Sequence, residues 1–253
     1  MNIAVIGARG AVGRACVENI HSRGHTPLEL HRKDEIPTEA EGIINASSIE
    51  DREFAIPIVD CSGELSNTSL VLPTILHSNS LRLRVPNCMA SLIAQAIAPL
   101  HKKCTVNSIV ATCLQSASGA GWRGIHALEQ NDTEEIFGGI LSNNILPHEN
   151  AELEESIIVH DLHELFGCEV TATSFRVPVF TGHVASLQIV TKCPIEKNLI
   201  PNSDCIDPRN MEQESSVAIG RVRIDKNTAN IVICGNQLTC GTAIPAVTSI
   251  IST

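Results

Sequence analysis

The chain has 253 residues with 28 acidic against 18 basic side chains, a formal net charge of −10, 43% apolar content and only 2% aromatic content. This length can bury a sizeable core in one large or two small domains, and an acidic balance without basic runs excludes nucleic-acid and anionic-membrane partners. The start, Met1-Asn-Ile-Ala-Val-Ile-Gly-Ala-Arg-Gly, does not read as a signal peptide and no apolar stretch approaches a membrane span, so a cytoplasmic protein is expected.

Residues 2–6 form an apolar run followed by Gly7-Ala-Arg-Gly10-Ala-Val-Gly13, after which Val12, Cys16, Val17 and Ile20 recur at helical spacing. This is strand, glycine turn, helix. The glycines supply a tight turn, backbone close to a pyrophosphate and a helix N-terminus aimed at negative charge. Short strands follow at 28–30, 42–45 and 55–59. Where an NAD-preferring site places an acidic residue, at the end of the second strand, the chain has His31-Arg32-Lys33. These cations favour a 2′-phosphate, and so NADP, or form a solvated loop.

A second region begins near Pro86, with a helix at about 88–101 and a strand at 108–112. A helix over about 151–166 carries Glu152, Glu154 and Glu155 in its first turn and Gly167 at its end, both favourable for the dipole and C-cap. Alternating runs near 168–179, 184–192, 217–224 and 229–234 predict an antiparallel sheet, and 243–251 a closing helix with Pro245 in its first turn. The ten cysteines contain no C-x-x-C pair. They are expected to be reduced, mostly as small buried hydrophobes, with no metal site.

One cysteine has a special setting. Asn87 is placed as N-cap with Cys88 in the first turn, where unpaired N–H groups and the positive dipole end favour the thiolate. The segment from Ser174 to His183 reads as a strand ending in a Gly turn. Arg176 can clamp a carboxylate with two parallel hydrogen bonds, and His183 has a pKa suited to accepting a proton near neutrality. On an unbroken strand the two face opposite sides, so a shared site requires the Thr181-Gly182 turn to reset the face. With Cys88 they form a candidate Cys–His–Arg set.

Together these segments resemble the aspartate-semialdehyde dehydrogenase family. The likeness runs nearly end to end: Gly7 to Gly13, Pro86-Asn-Cys88, Leu114-Gln-Ser-Ala-Ser-Gly-Ala-Gly121, Asn144-Ile-Leu-Pro147, Arg176-Val-Pro-Val179, Gly182-His183, Gly220-Arg-Val-Arg223 and Asn236-Gln-Leu-Thr-Cys-Gly241. The resemblance implies a Rossmann-like α/β dinucleotide-binding domain (1–86 with 237–253), reached again by a C-terminal helix, and an α+β catalytic and dimerisation domain with a mixed or antiparallel sheet (87–236). It further implies a homodimer or homotetramer and NADPH-dependent reductive dephosphorylation of L-aspartyl-β-phosphate to aspartate semialdehyde, a step of lysine, threonine and methionine biosynthesis. Carried over by motif, Cys88 is the nucleophile, Gln115 orients substrate and His183 is the acid/base. Arg176 binds the substrate carboxylate and Glu154 its amino group, with Asn87 beside them. Cofactor contacts fall on Gly7, Arg9, Gly10, Ala11, Val12, Gly13, Arg32 and Asn236.

The chain departs from the pattern as well. It is shorter than its apparent family, mainly between the second strand and Asp60, where members carry more sheet. The family's phosphate-binding Arg has no counterpart in Gly63-Glu-Leu-Ser-Asn-Thr, and its Lys is replaced by Ile157. Arg84 and Arg123 are the candidates to replace these cations. A catalytically degenerate binding or regulatory homologue, or a related acyl-phosphate or aldehyde dehydrogenase, are the competing readings.

Overall fold

Short, wholly apolar runs favour strands buried on both faces, and alternating runs favour strands with one solvated face. In a computed structural model, which describes residues 1–201, 206–211 and 215–253, the chain builds one sheet of each kind. β1 (Asn2–Ile6), β2 (Thr26–Leu30), β3 (Gly42–Asn45), β4 (Ile58–Asp60), β5 (Ser69–Leu70) and β6 (Arg82–Arg84) form an all-parallel sheet in the order β2-β1-β3-β4-β6-β5. β5 and β6 are too short to stand out as apolar runs. The strand expected at 55–59 starts later, at Ile58, behind Pro57, which has no N–H to give a ladder.

α1 (Ala11–Ser22) crosses from β1 to β2. The connections at 31–41 and 46–57 contain no helix, although parallel strands are usually joined by one. The sheet expected to be trimmed here has six strands. Ile36, Ile49, Phe54 and Ile56 of these connections pack over Ile43 and Ile58 in place of a helical layer.

α2 (Cys88–Lys103) then leads into a mixed sheet. β7 (Val106–Gln115), β8 (Leu146–Pro147), β9 (Glu169–Arg176), β10 (His183–Thr191), β11 (Ala218–Asp225) and β12 (Thr228–Gly235) take the order β11-β12-β10-β7-β9-β8. β7 and β9 run parallel, and the remaining pairs are antiparallel. β9 stops at Arg176, short of the expected 179, because Pro178 has no N–H to continue the ladder. Between β7 and β8 lie α3 (Gly121–Gln130) and the single turn α4 (Glu134–Phe137), both without a sequence expectation.

α5 (Ala151–Phe166) and α2 pack together on the mixed sheet through Leu92, Ile93, Ile158 and Leu162. A π-helical turn, Thr239–Ala243, opens α6 (Ile244–Ile251), which returns to the parallel sheet and lays Ala246, Val247 and Ile250 beside Cys16 and Ile20 of α1. Among the described residues, no helix is long and apolar enough to cross a membrane.

The cysteine expectation needs one correction. Cys104 and Cys193 form a disulfide, with Cα atoms 5.7 Å apart, just past the end of the β7–β10 ladder. Their separation of 89 residues hides that proximity in the sequence. Cys16, Cys113, Cys168, Cys234 and Cys240 are buried thiols, and Cys205 lies outside the described residues.

The glycine turn is the most tightly determined part of the parallel unit. Gly7 sits at φ +79°, and a Cβ on Gly13 would stand 2.1 Å from the Gly7 carbonyl oxygen. Gly13→Ala is therefore expected to destabilise the chain by about 2–3 kcal/mol by overpacking, read as a lower midpoint in thermal or urea unfolding.

Candidate active site

Strand register gathers the chemistry at one edge of the mixed sheet. Gln115 ends β7 opposite Arg176, which ends β9. Val184 faces Leu114, so His183 at the start of β10 stands at the same edge, and it pairs with Gly235 just before Asn236. Leu146 pairs with Arg176, so the chain enters β8 at this edge, and His148 just after it brings its ring back to 2.7 Å from Arg176 Nη2. Gly182, at φ +101°, makes the turn that brings His183 back, so Arg176 and His183 share the edge from separate strands.

α2 begins under this edge. The Asn87 side chain accepts hydrogen bonds from the N–H groups of Met89 (2.9 Å) and Ala90 (3.4 Å), as expected of an N-cap. The Asn87 N–H donates to the buried Asp161 of α5 at 2.7 Å, which ties the helix start to its neighbour. Cys88 Sγ then lies 3.7 Å from His183 Nε2. Gly241 of the π-helical turn abuts the Cys88 backbone, where a Cβ would stand 3.1 Å from the Cys88 carbonyl oxygen.

The protonation states differ from the sequence expectation. Burial, and then the Glu154 carboxylate, push the Cys88 thiol up to about 12 against the pull of Arg176 and the Met89 N–H. Desolvation thus outweighs the helix start that was expected to favour the thiolate. His183 is held well below its ordinary 6.5 by burial and by the charges of Arg176 and His148. The Ser116 N–H donates to His183 Nδ1 at 3.1 Å, and the Ser116 hydroxyl lies 3.0 Å away. A neutral ring accepting at Nδ1 carries its proton on Nε2, facing the sulfur. In the resting state the His183 Nε2–H faces the Cys88 sulfur as a hydrogen-bond donor, so the ring expected to serve as acid/base must change tautomer before it takes the thiol proton.

Arg176 is 2% exposed, and its Nη1 donates to the Ser116 carbonyl at 2.8 Å. Nη2 and Nε reach Glu149 at 2.6 and 3.2 Å. Glu154 Oε1 accepts from Gln115 Nε2 at 2.7 Å and from Asn87 Nδ2 at 3.0 Å. The structure thus brings Asn87, Cys88, Gln115, Glu154, Arg176 and His183 into one cluster. Asn236 is buried in the adjoining loop, where its side chain accepts from the Leu238 and Thr239 N–H groups. Arg84 is a correction: it binds Asp161 at 2.6 Å and Glu164 at 2.8 Å, so its charge is held by α5. Arg123 is exposed in the first turn of α3.

A cavity of about 470 Å³ opens at the glycine turn, lined by Gly7, Arg9 and Gly10 and by His31 and Arg32. Ala11, Val12 and Gly13 form the first turn of α1 behind it. The cavity and the thiol are linked by one short segment. Gly119 lies against Arg176 and His183, while the Trp122 indole donates to the Arg9 carbonyl at 3.2 Å. The intervening residues span at most about 10 Å. Sequence reasoning missed Ser116, His148, Glu149 and Asp161. Only Asp161 carried a signal, a carboxylate on the apolar stripe of Ile158 and Leu162.

A family model for the semialdehyde dehydrogenase dimerisation domain matches residues 97–240. The chain belongs to the semialdehyde dehydrogenase family. An aspartate-semialdehyde dehydrogenase from Synechocystis is 25% identical over 322 aligned positions, covering 98% of this chain and 95% of that one. One from Helicobacter pylori is 25% identical, covering 97% and 96%. The alignments are longer than the 253-residue chain, so gaps make up the difference. Among solved structures, aspartate semialdehyde dehydrogenase II from Vibrio cholerae superposes with a TM-score of 0.83 at 20% identity, covering 99% and 97%. The enzyme from Candida albicans with NADP gives 0.71 at 14% identity, covering 99% and 98%. These likenesses establish a dehydrogenase fold with both of its sheets.

Two outcomes follow for this family member. Removing the Glu154 charge lowers the Cys88 pKa, so Glu154→Gln is expected to speed alkylation of Cys88 by iodoacetamide at pH 8, read on its peptide by mass spectrometry. The His183 shift works in the acid range. The unfolded chain takes up a proton there below 6.5 and the folded chain resists it, so stability is full above 6.5 and is lost as pH falls below it. The thermal midpoint is expected to drop between pH 7 and 5, and His183→Asn to flatten that slope in part, since His148 and His101 are lowered too.

Proposed function

We propose that the chain is an NADP-dependent aspartate-semialdehyde dehydrogenase, cytoplasmic and acting as a homodimer or homotetramer. One observation carries the reading: the thiol of Cys88, at a capped helix start, lies 3.7 Å from His183 on the sheet edge that also holds Gln115 and Arg176. The unit formed by 1–86 and 237–253 holds the cofactor, and 87–236 supplies catalysis and self-association. The glycine turn suits the pyrophosphate, because Gly7 and Gly13 leave no room for a Cβ, and His31 and Arg32 in the cavity wall suit a 2′-phosphate. NADP, when bound, supplies the hydride acceptor or donor for the carbonyl carbon. Arg9, Gly10, Ala11, Val12 and Asn236 are its further contacts.

In the reductive direction the Cys88 thiol passes its proton to His183 Nε2 as Sγ attacks the acyl carbon of aspartyl phosphate, the C–O bond to phosphate breaks, and a thioester remains beside the imidazolium. After reduction of that carbon the aldehyde forms as the C–S bond breaks. The His183 imidazolium returns that proton from Nε2 to sulfur. In either direction Nε2 can take the thiol proton only once the ring's own proton sits on Nδ1, where the Ser116 hydroxyl, 3.0 Å away, turns to accept it. The Cys88 N–H, which the Asn87 cap does not take up, is the donor for the developing oxyanion. Arg176 holds the substrate carboxylate, Glu154 its ammonium and Gln115 its orientation. With Arg84 spent on α5, Arg123 remains for the phosphate.

Phosphate-dependent NADPH formation from L-aspartate semialdehyde, followed at steady state, is the expected activity. Cys88→Ala should lower it by at least about 10³-fold. Activity that survives this change would sink the assignment of the nucleophile.

A further inference from the structure

The site contains a carboxylate of its own at the place where the substrate's carboxylate belongs. Glu149 meets Arg176 through two oxygens, Oε1 to Nη2 at 2.6 Å and Oε2 to Nε at 3.2 Å. This is the two-point pairing that a guanidinium offers any carboxylate. The two partners are held very differently. Arg176 ends β9, donates to the Ser116 carbonyl and has Phe137 stacked 5.0 Å from its guanidinium carbon. Glu149 stands on the short connection between β8 and α5, and its side chain is 18% exposed against 2% for Arg176. Near Nη1 stands Gly119, where a Cβ would come within 2.7 Å, so the guanidinium keeps an approach that any larger residue would block.

A second observation concerns the connection that carries Glu149. His148 Nε2 lies 2.7 Å from Arg176 Nη2, while its Nδ1 receives the Asn150 N–H at 3.2 Å. Both ring nitrogens face donors, but a neutral imidazole has one acceptor nitrogen. With Glu149 and Arg176 joined in this way, one contact of His148 always goes unmet, and a shift of the 148–150 connection relieves it.

We infer that Glu149 is a built-in occupant of the carboxylate subsite, which the substrate's own carboxylate displaces, so that Glu149 sets both KM and the preference for carboxylated aldehydes. This deepens the proposed function and rests on its reading of Arg176. A carboxylated substrate exchanges one ion pair for another, whereas an aldehyde without a carboxylate leaves Glu149 seated and gains nothing from Arg176. Glu149 is thus a specificity-determining residue that never touches the reacting atoms.

The test is Glu149→Gln, which keeps the shape and removes the charge. KM for L-aspartate semialdehyde is expected to fall about tenfold, with no matching change in KM for propionaldehyde, which carries no carboxylate. Equal shifts for both aldehydes, or an unchanged or higher KM for the semialdehyde, overturn the inference. If the wild-type chain proves inactive on aspartate semialdehyde, the function reading fails by itself and the inference is decided by succinate binding in calorimetry. About tenfold tighter binding by Glu149→Gln than by wild type supports it, and equal binding overturns it. The unaltered chain gives a check that needs no variant, a crystal structure with succinate. Glu149 released and succinate on Arg176 supports the exchange, and succinate bound elsewhere with the pair intact overturns it.

Discussion

The backbone of Ser116 is the feature on which the rest of the site depends. Its N–H donates to His183 and its carbonyl accepts from Arg176, so two peptide planes hinged at one Cα set the proton position on one side chain and the direction of the other. Ser116 in turn directly follows β7, whose register is held over eight residue pairs with β9 and seven unbroken pairs with β10. Orientation of His183 and of Arg176 is thus set by the backbone of a long strand. No side-chain substitution short of a register slip moves one without the other.

The cluster holds its charges in pairs. Arg176 is answered by Glu149, Arg84 by Asp161 and Glu164, and Glu154 by the amides of Gln115 and Asn87. A protonated thiol and a neutral imidazole add no charge of their own, so the buried centre of the cluster carries the Arg176–Glu149 pair and the Glu154 carboxylate held by two amides. That is what desolvation demands of groups withdrawn from water. The same condition explains why the helix start fails to ionise Cys88 unaided: dipole and N–H contacts lower a thiol pKa only when burial and a neighbouring carboxylate do not oppose them more strongly.

How much of this the sequence carried depended on the range of the forces involved. The strand, glycine turn and helix at the N-terminus, the Asn87 cap with Cys88, and the Gly182 turn before His183 were legible because each is a local requirement of backbone geometry. The pairing of Arg176 with Glu149 and of Arg84 with Asp161 was not, since the partners are set by tertiary packing, 77 residues apart in the second case. The Cys104–Cys193 bond was hidden for the same reason. α3 and α4 escaped notice because they follow a glycine-rich, weakly patterned segment. The role of Ser116 was invisible for a different reason, since it acts largely through its backbone N–H and carbonyl, which carry no mark of residue type.

The distribution of what is short and what is kept follows from the same distinction. The connections at 31–41 and 46–57 contribute single apolar side chains to the cover of the parallel sheet, and loop length alone costs little in closure entropy. Replacing a crossover helix by an extended segment with Ile49, Phe54 or Ile56 at the right spot therefore keeps the strand order while removing residues. The mixed sheet has no such freedom. Taking one residue from β7, β9 or β10 would turn the side chains beyond the cut to the opposite face and remove Gln115, Arg176 or His183 from the edge where α2 presents Cys88. The first sheet therefore keeps its strand order with connections that contain no helix, while the strands of the second cannot lose a residue and still hold this edge.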